Sequence, residues 1–331
     1  MTMKSLVTGG AGFIGSNLVD LLIKKKHKVI VLDNFSTGRK SNLKGHSKAN
    51  LKIINTDISK KNNIDKYFSG VDYVFHLAGL ADIVPSIENP KKYFESNVLG
   101  TLNIIRASHR KKIKKFIYAA SASCYGFPKR FPTKEESPIK PMYPYALTKV
   151  QGEELVMHWN KVYNFPAISL RFFNCYGPRS RTTGAYGAVF GVFLAQKFAN
   201  KPLTVVGNGK QTRDFIHVRD LVSAIYKAAS SKKKGVIYNL AGGKEVQVNK
   251  IAKLIGGKTV KIPKRPGEPD RSLGDISKIK RDLNWKPKIK IEDGVKELLT
   301  KIDTFKDAPV WTPKKIKEAT KIWFKLLKKI R

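Results

Sequence analysis

Cysteine is nearly absent. Cys124 and Cys175 are the only two in 331 residues, and they form no spaced metal or disulfide pattern, so a reducing compartment is the expectation. Long apolar runs are also missing: no uninterrupted stretch approaches the ~20 residues needed to span a bilayer. The first apolar run starts almost at Met1, which leaves no room for a signal peptide. A cytoplasmic protein is expected. Internal repeats and low-complexity linkers are lacking too, and the length suits one large or two small domains.

Acidic residues are outnumbered, 25 against 64 basic ones, which leaves a formal net charge of +39. Such a balance points to nucleic acid or anionic membrane only if the charge is concentrated. Here 51 of the basic residues are Lys, spread from Lys4 to Lys329, and only 13 are Arg. No basic cluster with interleaved aromatics covers the first half of the chain. No nucleic-acid partner is expected; steering of a doubly negative small molecule is a side benefit.

What the chain does have is glycine in the right places. Leu6-Val7 leads into Thr8-Gly9-Gly10-Ala11-Gly12-Phe13-Ile14-Gly15, followed by the helical spacing of Leu18, Leu21 and Leu22. Gly9 permits a tight turn, Gly12 lets a pyrophosphate approach the backbone, and Gly15 lets the helix pack on the sheet. The helix N-terminus then offers free N–H groups to the anion. A glycine-rich turn without a ligand is the competing reading. Against it, Asp33 and Asn34 close the next apolar run, where a carboxylate accepts hydrogen bonds from a ribose diol. NAD is the expected cofactor, since Asp33 would repel a 2′-phosphate; Arg39 is read as a surface residue. Asp57 and Ile58 are placed to meet the adenine, and His76-Leu77-Ala78 ends the fourth strand beside the cofactor. His76 itself is read as a satisfied buried histidine.

Apolar runs at Leu6–Thr8, Val29–Leu32, Leu51–Ile54, Tyr73–Leu77, Phe116–Ala120 and Ala167–Phe172 alternate with amphipathic stretches, including long helices from Asn97 to His109 and from Tyr145 to Tyr163. The pattern predicts an α/β fold, a doubly wound parallel sheet of Rossmann type. Val236–Leu240 reads as a strand returning to it. After Arg171 the rhythm changes. Tyr176-Gly177-Pro178, Gly184-Ala185-Tyr186-Gly187 and Pro263–Pro269 read as loops that clamp a substrate. The expected division is a nucleotide-binding domain at 1–173 with a return at 213–243, a smaller lobe at 174–307, and a basic amphipathic helix at 308–331.

Tyr145 and Lys149 lie one helical turn apart and share a face. A nearby ammonium and the positive nicotinamide of NAD⁺ both stabilise phenolate and are expected to lower the Tyr145 pKa, turning a poor base into a usable one. Ser121 ends the fifth strand, where its hydroxyl can meet the same substrate oxygen.

Together with Ser121-Ala122-Ser123-Cys124-Tyr125-Gly126, Pro144–Lys149, Arg171–Pro178 and Gln211–Asp220, these segments resemble the extended short-chain dehydrogenase/reductases of the nucleotide-sugar epimerase/dehydratase family, and within it the UDP-glucose 4-epimerases. The resemblance covers about residues 3 to 300. It implies Ser121, Tyr145 and Lys149 as catalytic residues and a UDP-sugar as substrate. It implies Asn174, Arg213 and Arg265 at the diphosphate, Glu268 at the uridine ribose, and Ser123 at the sugar. It also implies a homodimer through the two long helices, and no metal. Family dehydratases carry adjacent Asp-Glu before Tyr-Gly, and decarboxylases a Glu; Ala122 and Ser123 stand there in this chain and move no proton, so elimination is disfavoured. What remains is 4-epimerisation through a transient 4-keto sugar. A dehydratase, a decarboxylase or a 4-keto sugar reductase is the alternative, and a non-catalytic NAD-sensing module is disfavoured because Tyr145 and Lys149 are both kept. Ser272 falls where some UDP-glucose 4-epimerases carry a pocket-narrowing Tyr, which implies room for an N-acetyl group.

At the C-terminus, Ile316, Ala319, Ile322, Trp323, Leu326, Leu327 and Ile330 repeat at helical spacing opposite a face of lysines. Packing on the protein itself is the expectation for this helix, with contact to anionic lipid as the alternative.

Overall fold

The computed structural model describes residues 2–60, 64–180 and 188–327. Its first half alternates strand and helix: β1 (Lys4–Thr8), α1 (Phe13–Lys24), β2 (Lys28–Asp33), β3 (Leu51–Asn55), β4 (Tyr73–His76), α2 (Ile83–Glu88), α3 (Pro90–Phe94), α4 (Gly100–Arg110), β5 (Lys115–Ser121), α5 (Pro144–Tyr163) and β6 (Ala167–Phe172). After β7 (Asn174–Tyr176), α6 (Val189–Phe198), β8 (Leu203–Val206), β9 (Thr212–His217) and α7 (Val218–Ala229), the chain returns as β10 (Val236–Leu240).

Seven parallel strands in the order β10-β6-β5-β4-β1-β2-β3 form one sheet. Successive side chains point to opposite faces. Val7, Val31, Phe75, Ile117 and Ile168 therefore enter one core with α1 and α7, while Leu6, Leu32, Val74, Phe116 and Ala167 enter another with α4 and α5. Because both faces are covered, the strands inside the edge strand β3 are largely apolar, the property that made them legible. The chain winds outward from β1 to β3, then resumes at β4 on the other side. That reversal opens a crevice at the carboxyl ends of β1 and β4.

Asn97 lies in a long helix as expected, one that starts earlier, at Pro90, and runs on without a break into α4. It lies in a wide π-type turn over Glu95–Leu99, ahead of α4. Its amide accepts from Leu80 N–H (2.8 Å) and donates to Leu80 O and Thr148 Oγ1 (both 3.0 Å). One buried side chain thus ties the loop after β4 to α5.

The second half is more structured than its composition suggested. β11 (Glu245–Gln247) joins β9 and β7 in a three-stranded sheet, and β12 (Thr259–Ile262) pairs with β8. With α8 (Val248–Ile255) and, beyond α9 (Ser277–Leu283), α10 (Ile291–Leu299), they bury their own core of Phe193, Leu203, Ile251 and Leu298. Gly184–Gly187 lie outside the described residues.

The expected single C-terminal helix is instead two, α11 (Pro313–Ala319) and α12 (Lys321–Leu327), interrupted at Thr320. Thr320 is β-branched and turns its hydroxyl back onto Ile316 O at 2.7 Å, a local bond that competes with straight helix. Ile316, Trp323 and Leu327 are buried against the protein, and only Leu326 of the described apolar face is exposed. The face that lipid would need is already committed; Ile330 lies outside the described residues. No helix among the described residues is long and apolar enough to cross a membrane.

A buried ion pair fastens α5 to the sheet. Glu153 accepts from Arg171 at 2.6 and 3.1 Å and from Ser169 Oγ at 2.7 Å. Arg171 also donates to Tyr125 OH (2.9 Å) and Glu135 O (2.8 Å), and Tyr125 OH donates to Asn239 Oδ1 on β10 (2.7 Å). Removing one partner strands the other charge out of water. Glu153→Ala should therefore lower stability by ~3–5 kcal/mol in urea unfolding, and the double variant Glu153→Leu/Arg171→Met by much less. An undisturbed Glu153→Ala midpoint would contradict this account.

Candidate active site

A cavity of about 660 Å³ opens at the crevice beside β1 and β4. Its floor is the glycine loop. Gly9 has φ +68°, and a Cβ there would meet Ala78 Cα at 2.8 Å. At Gly15 a Cβ would lie 2.1 Å from Gly9 O, so helix and turn touch directly. Gly12 caps α1 and lines the cavity, with only Gly9 O near an added Cβ, at 3.2 Å. The absence of a side chain there is what leaves the N-terminus of α1 open to an anion.

Asp33 stands on one side of this floor. It accepts from Ala11 N–H (2.9 Å) and Phe35 N–H (2.8 Å), and burial raises its pKa against those two bonds. Asn34 donates to Asp57 (3.2 Å), whose carboxylate is also held by Ser59 and sits below its usual range despite partial burial. Phe13, Ile14, Ile58, Leu77 and Ala78 complete this half of the lining with Asp33, Asn34 and Asp57. An open glycine turn, a helix N-terminus and a carboxylate at the end of β2 fit a dinucleotide. Arg39 is half-buried and is not among the described lining residues. His76 has both ring nitrogens engaged, by Thr8 (2.7 Å) and Thr101 (2.9 Å), and burial drives its pKa to about 3. It is a neutral structural histidine.

Ser121, Tyr145 and Lys149 converge on the middle of the cavity. Ser121 Oγ is 2.8 Å from Ser123 Oγ and also hydrogen-bonds Tyr145. Burial pushes the Tyr145 pKa up, the Ser121 bond works the other way, and the Asp82 carboxylate and Cys124 add to the rise. The lowering expected from Lys149 and a bound NAD⁺ nicotinamide concerns the loaded site; in the protein alone desolvation sets the direction. Lys149 is buried, its Nζ 4.5 Å from the Tyr118 ring centroid, and burial brings its pKa to about 8. A cation so close to its titration point responds readily to an added charge nearby.

The far end carries Asn174, Arg213, Arg265 and Glu268. Arg265 lies 3.0 Å from Glu268 and Arg213 lies 3.8 Å from it, so two guanidinium groups flank one carboxylate. Arg213 is further aimed by Thr212 O (2.8 Å) and Pro269 O (2.9 Å). Ser123 and Ser272 are not among the described lining residues. Ser123 backs Ser121. The segment around Ser272 is pinned away by Thr212 N–H to Asp270 O and Thr133 N–H to Leu273 O, both near 2.8–2.9 Å.

Several lining residues were invisible to motif reading. Asp82 begins α2 inside the cavity, and Trp311 and Trp323 close it from the C-terminal tail. Trp323 carried a weak signal, its place on the tail's apolar face. Asp82 and Trp311 carried none, because nothing local distinguishes them.

The model of the NAD dependent epimerase/dehydratase family matches residues 5–241. UDP-glucose 4-epimerase of Mycolicibacterium smegmatis is 32% identical over 310 residues, spanning 88% of this chain and 96% of that one. UDP-glucuronic acid decarboxylase 1 of Arabidopsis thaliana is 34% identical, over 90% of this chain and 69% of that one. Among solved structures, UDP-N-acetylglucosamine 4-epimerase from Methanobrevibacter ruminantium, in complex with UDP-N-acetylmuramic acid, superposes with TM-score 0.86 at 32% identity, covering 91% of this chain and 100% of that one. With the glycine turn, the Asp33 carboxylate and the Ser121–Tyr145–Lys149 cluster on one crevice, the chain belongs to the NAD dependent epimerase/dehydratase family.

Proposed function

We propose that the protein is an NAD-dependent 4-epimerase of a UDP-sugar. The observation that carries this reading is a single cavity with the glycine turn at one end, the Arg213–Glu268–Arg265 cluster at the other, and Tyr145 between them. Gly12, Asp33, Asn34, Asp57 and Lys149 would hold NAD, which supplies a hydride acceptor and donor. Arg213 and Arg265 neutralise the diphosphate, and the Asn174 amide donates a hydrogen bond to it. Tyr145 takes the proton from the sugar O4 and returns it, and Ser121 holds that oxygen in line. Ala122 and Ser123 offer no acid/base pair, which favours epimerisation over elimination. The sugar is UDP-glucose or UDP-galactose, and a small residue at Ser272 would leave room for the 2-acetamido sugars as well.

The lobes would divide near 1–173 and 174–307, with the tail from 308. Leu147, Val162 and Tyr163 are exposed on α5, apolar area of the kind two copies would cover in a homodimer. A cytoplasmic location fits the two free cysteines.

Three outcomes test this. UDP-glucose and UDP-N-acetylglucosamine, each incubated with the NAD-loaded protein and read by NMR, should yield the 4-epimer of at least UDP-glucose; Tyr145→Phe should lower turnover by roughly 10²–10⁴ with NAD affinity kept. Near-normal turnover in that variant removes Tyr145 from the mechanism. Ser121→Ala deletes the bond that opposes the rise in the Tyr145 pKa, so phenolate becomes scarcer at a given pH. The acid limb of the kcat profile should move to higher pH; an unmoved limb separates Ser121 from proton transfer. Light scattering should report twice the chain mass, whereas a monomer excludes the dimer.

A further inference from the structure

Arg265 sits in a loop where Pro263, Pro266 and Pro269 deny it helix and Gly267 takes φ +74°. Glu268 pairs with it at 3.0 Å. A second hold comes from the far end of the chain. The Trp323 indole donates to Pro266 O, and its ring lies 5.3 Å from the Arg265 guanidinium carbon. Leu327 packs beyond Gly267, where an added Cβ would come within 3.4 Å of it. Trp323 is 2% exposed and is itself wedged on Val84 of α2, with Ile83, Ile87 and Tyr143 alongside. Tyr143 directly precedes the helix that carries Tyr145, and α2 starts at the cavity edge.

We infer that Trp323 is a positioning residue for substrate: through its ring and its N–H it holds Arg265 over the diphosphate end of the cavity, so that the C-terminal tail forms part of the nucleotide-sugar site. Physically, a guanidinium stacked on indole loses fewer conformations when it meets a phosphate, and the stacked face keeps water away from one side.

This inference rests on the UDP-sugar reading, and the test separates the two by measuring binding of UDP alone. Trp323→Ala should raise the UDP Kd and the UDP-sugar KM roughly tenfold, as expected for one desolvated cation–π contact and one hydrogen bond, with kcat within about twofold. The NAD Kd should not change. Trp323→Phe, which keeps a ring and loses the donor, should weaken UDP by about threefold. In an Arg265→Met background both tryptophan substitutions should add little, the readout that a merely structural role would not move. An unchanged UDP Kd in either folded Trp323 variant overturns the inference, and so do losses that multiply in full on Arg265→Met. If Trp323→Ala does not accumulate, Trp323→Phe in the two backgrounds decides by the same criteria. A wild type that binds UDP yet epimerises no sugar refutes the reaction while the UDP measurements still decide this point; a wild type that does not bind UDP overturns it.

Discussion

The arrangement depends on a buried charge held in place. Glu153 and Arg171 lie between α5 and the sheet, with Ser169, Tyr125 and Asn239 satisfying their remaining bonds. Such a pair contributes little net stability, because desolvation consumes most of the Coulomb gain. Its value is register. α5 carries Tyr145 and Lys149, and a one-residue slide of that helix would turn both away from the cavity. Gly152 adds to this: an added Cβ would lie 2.2 Å from the Tyr118 hydroxyl, so helix and β5 are in direct contact. Charge pairing and close approach together give α5 one seat.

From that seat the electrostatics follow. The crevice at the reversal between β1 and β4 brings a helix N-terminus, the Asp33 carboxylate and buried Lys149 around one space, and the second lobe adds two guanidinium groups across it. Partial dehydration strengthens their interaction with a charged ligand and shifts the proton equilibria of Asp33, Lys149 and Arg213. Lys149 at about 8 and Tyr145 above its ordinary value describe a protein held ready, in which protonation of the site is sensitive to the charge that binds there. The family's shared chemistry explains why the glycine turn and the Tyr145–Lys149 pair are so recognisable.

Legibility divides along the same line. All seven strands of the main sheet were readable, β10 included, because burial leaves most of them a largely apolar run; the edge strand β3 is mostly exposed yet keeps Leu51, Ile53 and Ile54. The cofactor half was readable because its constraints are local: a turn that only glycine makes, a helix start, a carboxylate at a strand end. The small sheets of the second lobe were hidden, since strands such as Asn174–Tyr176 and Glu245–Gln247 are three residues long and owe their shape to tertiary pairing. Asp82 and Trp311 owe their place in the cavity to segments distant in sequence. The upward direction of the Tyr145 pKa in the protein alone was not legible, because the desolvation behind it arises from the whole surrounding fold.

The central claim is that one hydrogen leaves C4 of the sugar and returns to the same carbon while Tyr145 carries the O4 proton. UDP-glucose deuterated at C4, converted by the NAD-loaded protein and examined by NMR, tests it directly. The account predicts UDP-galactose that keeps its deuterium at C4, with no NADH released into solution. Loss of the label from C4, or NADH accumulating in step with product, would contradict it.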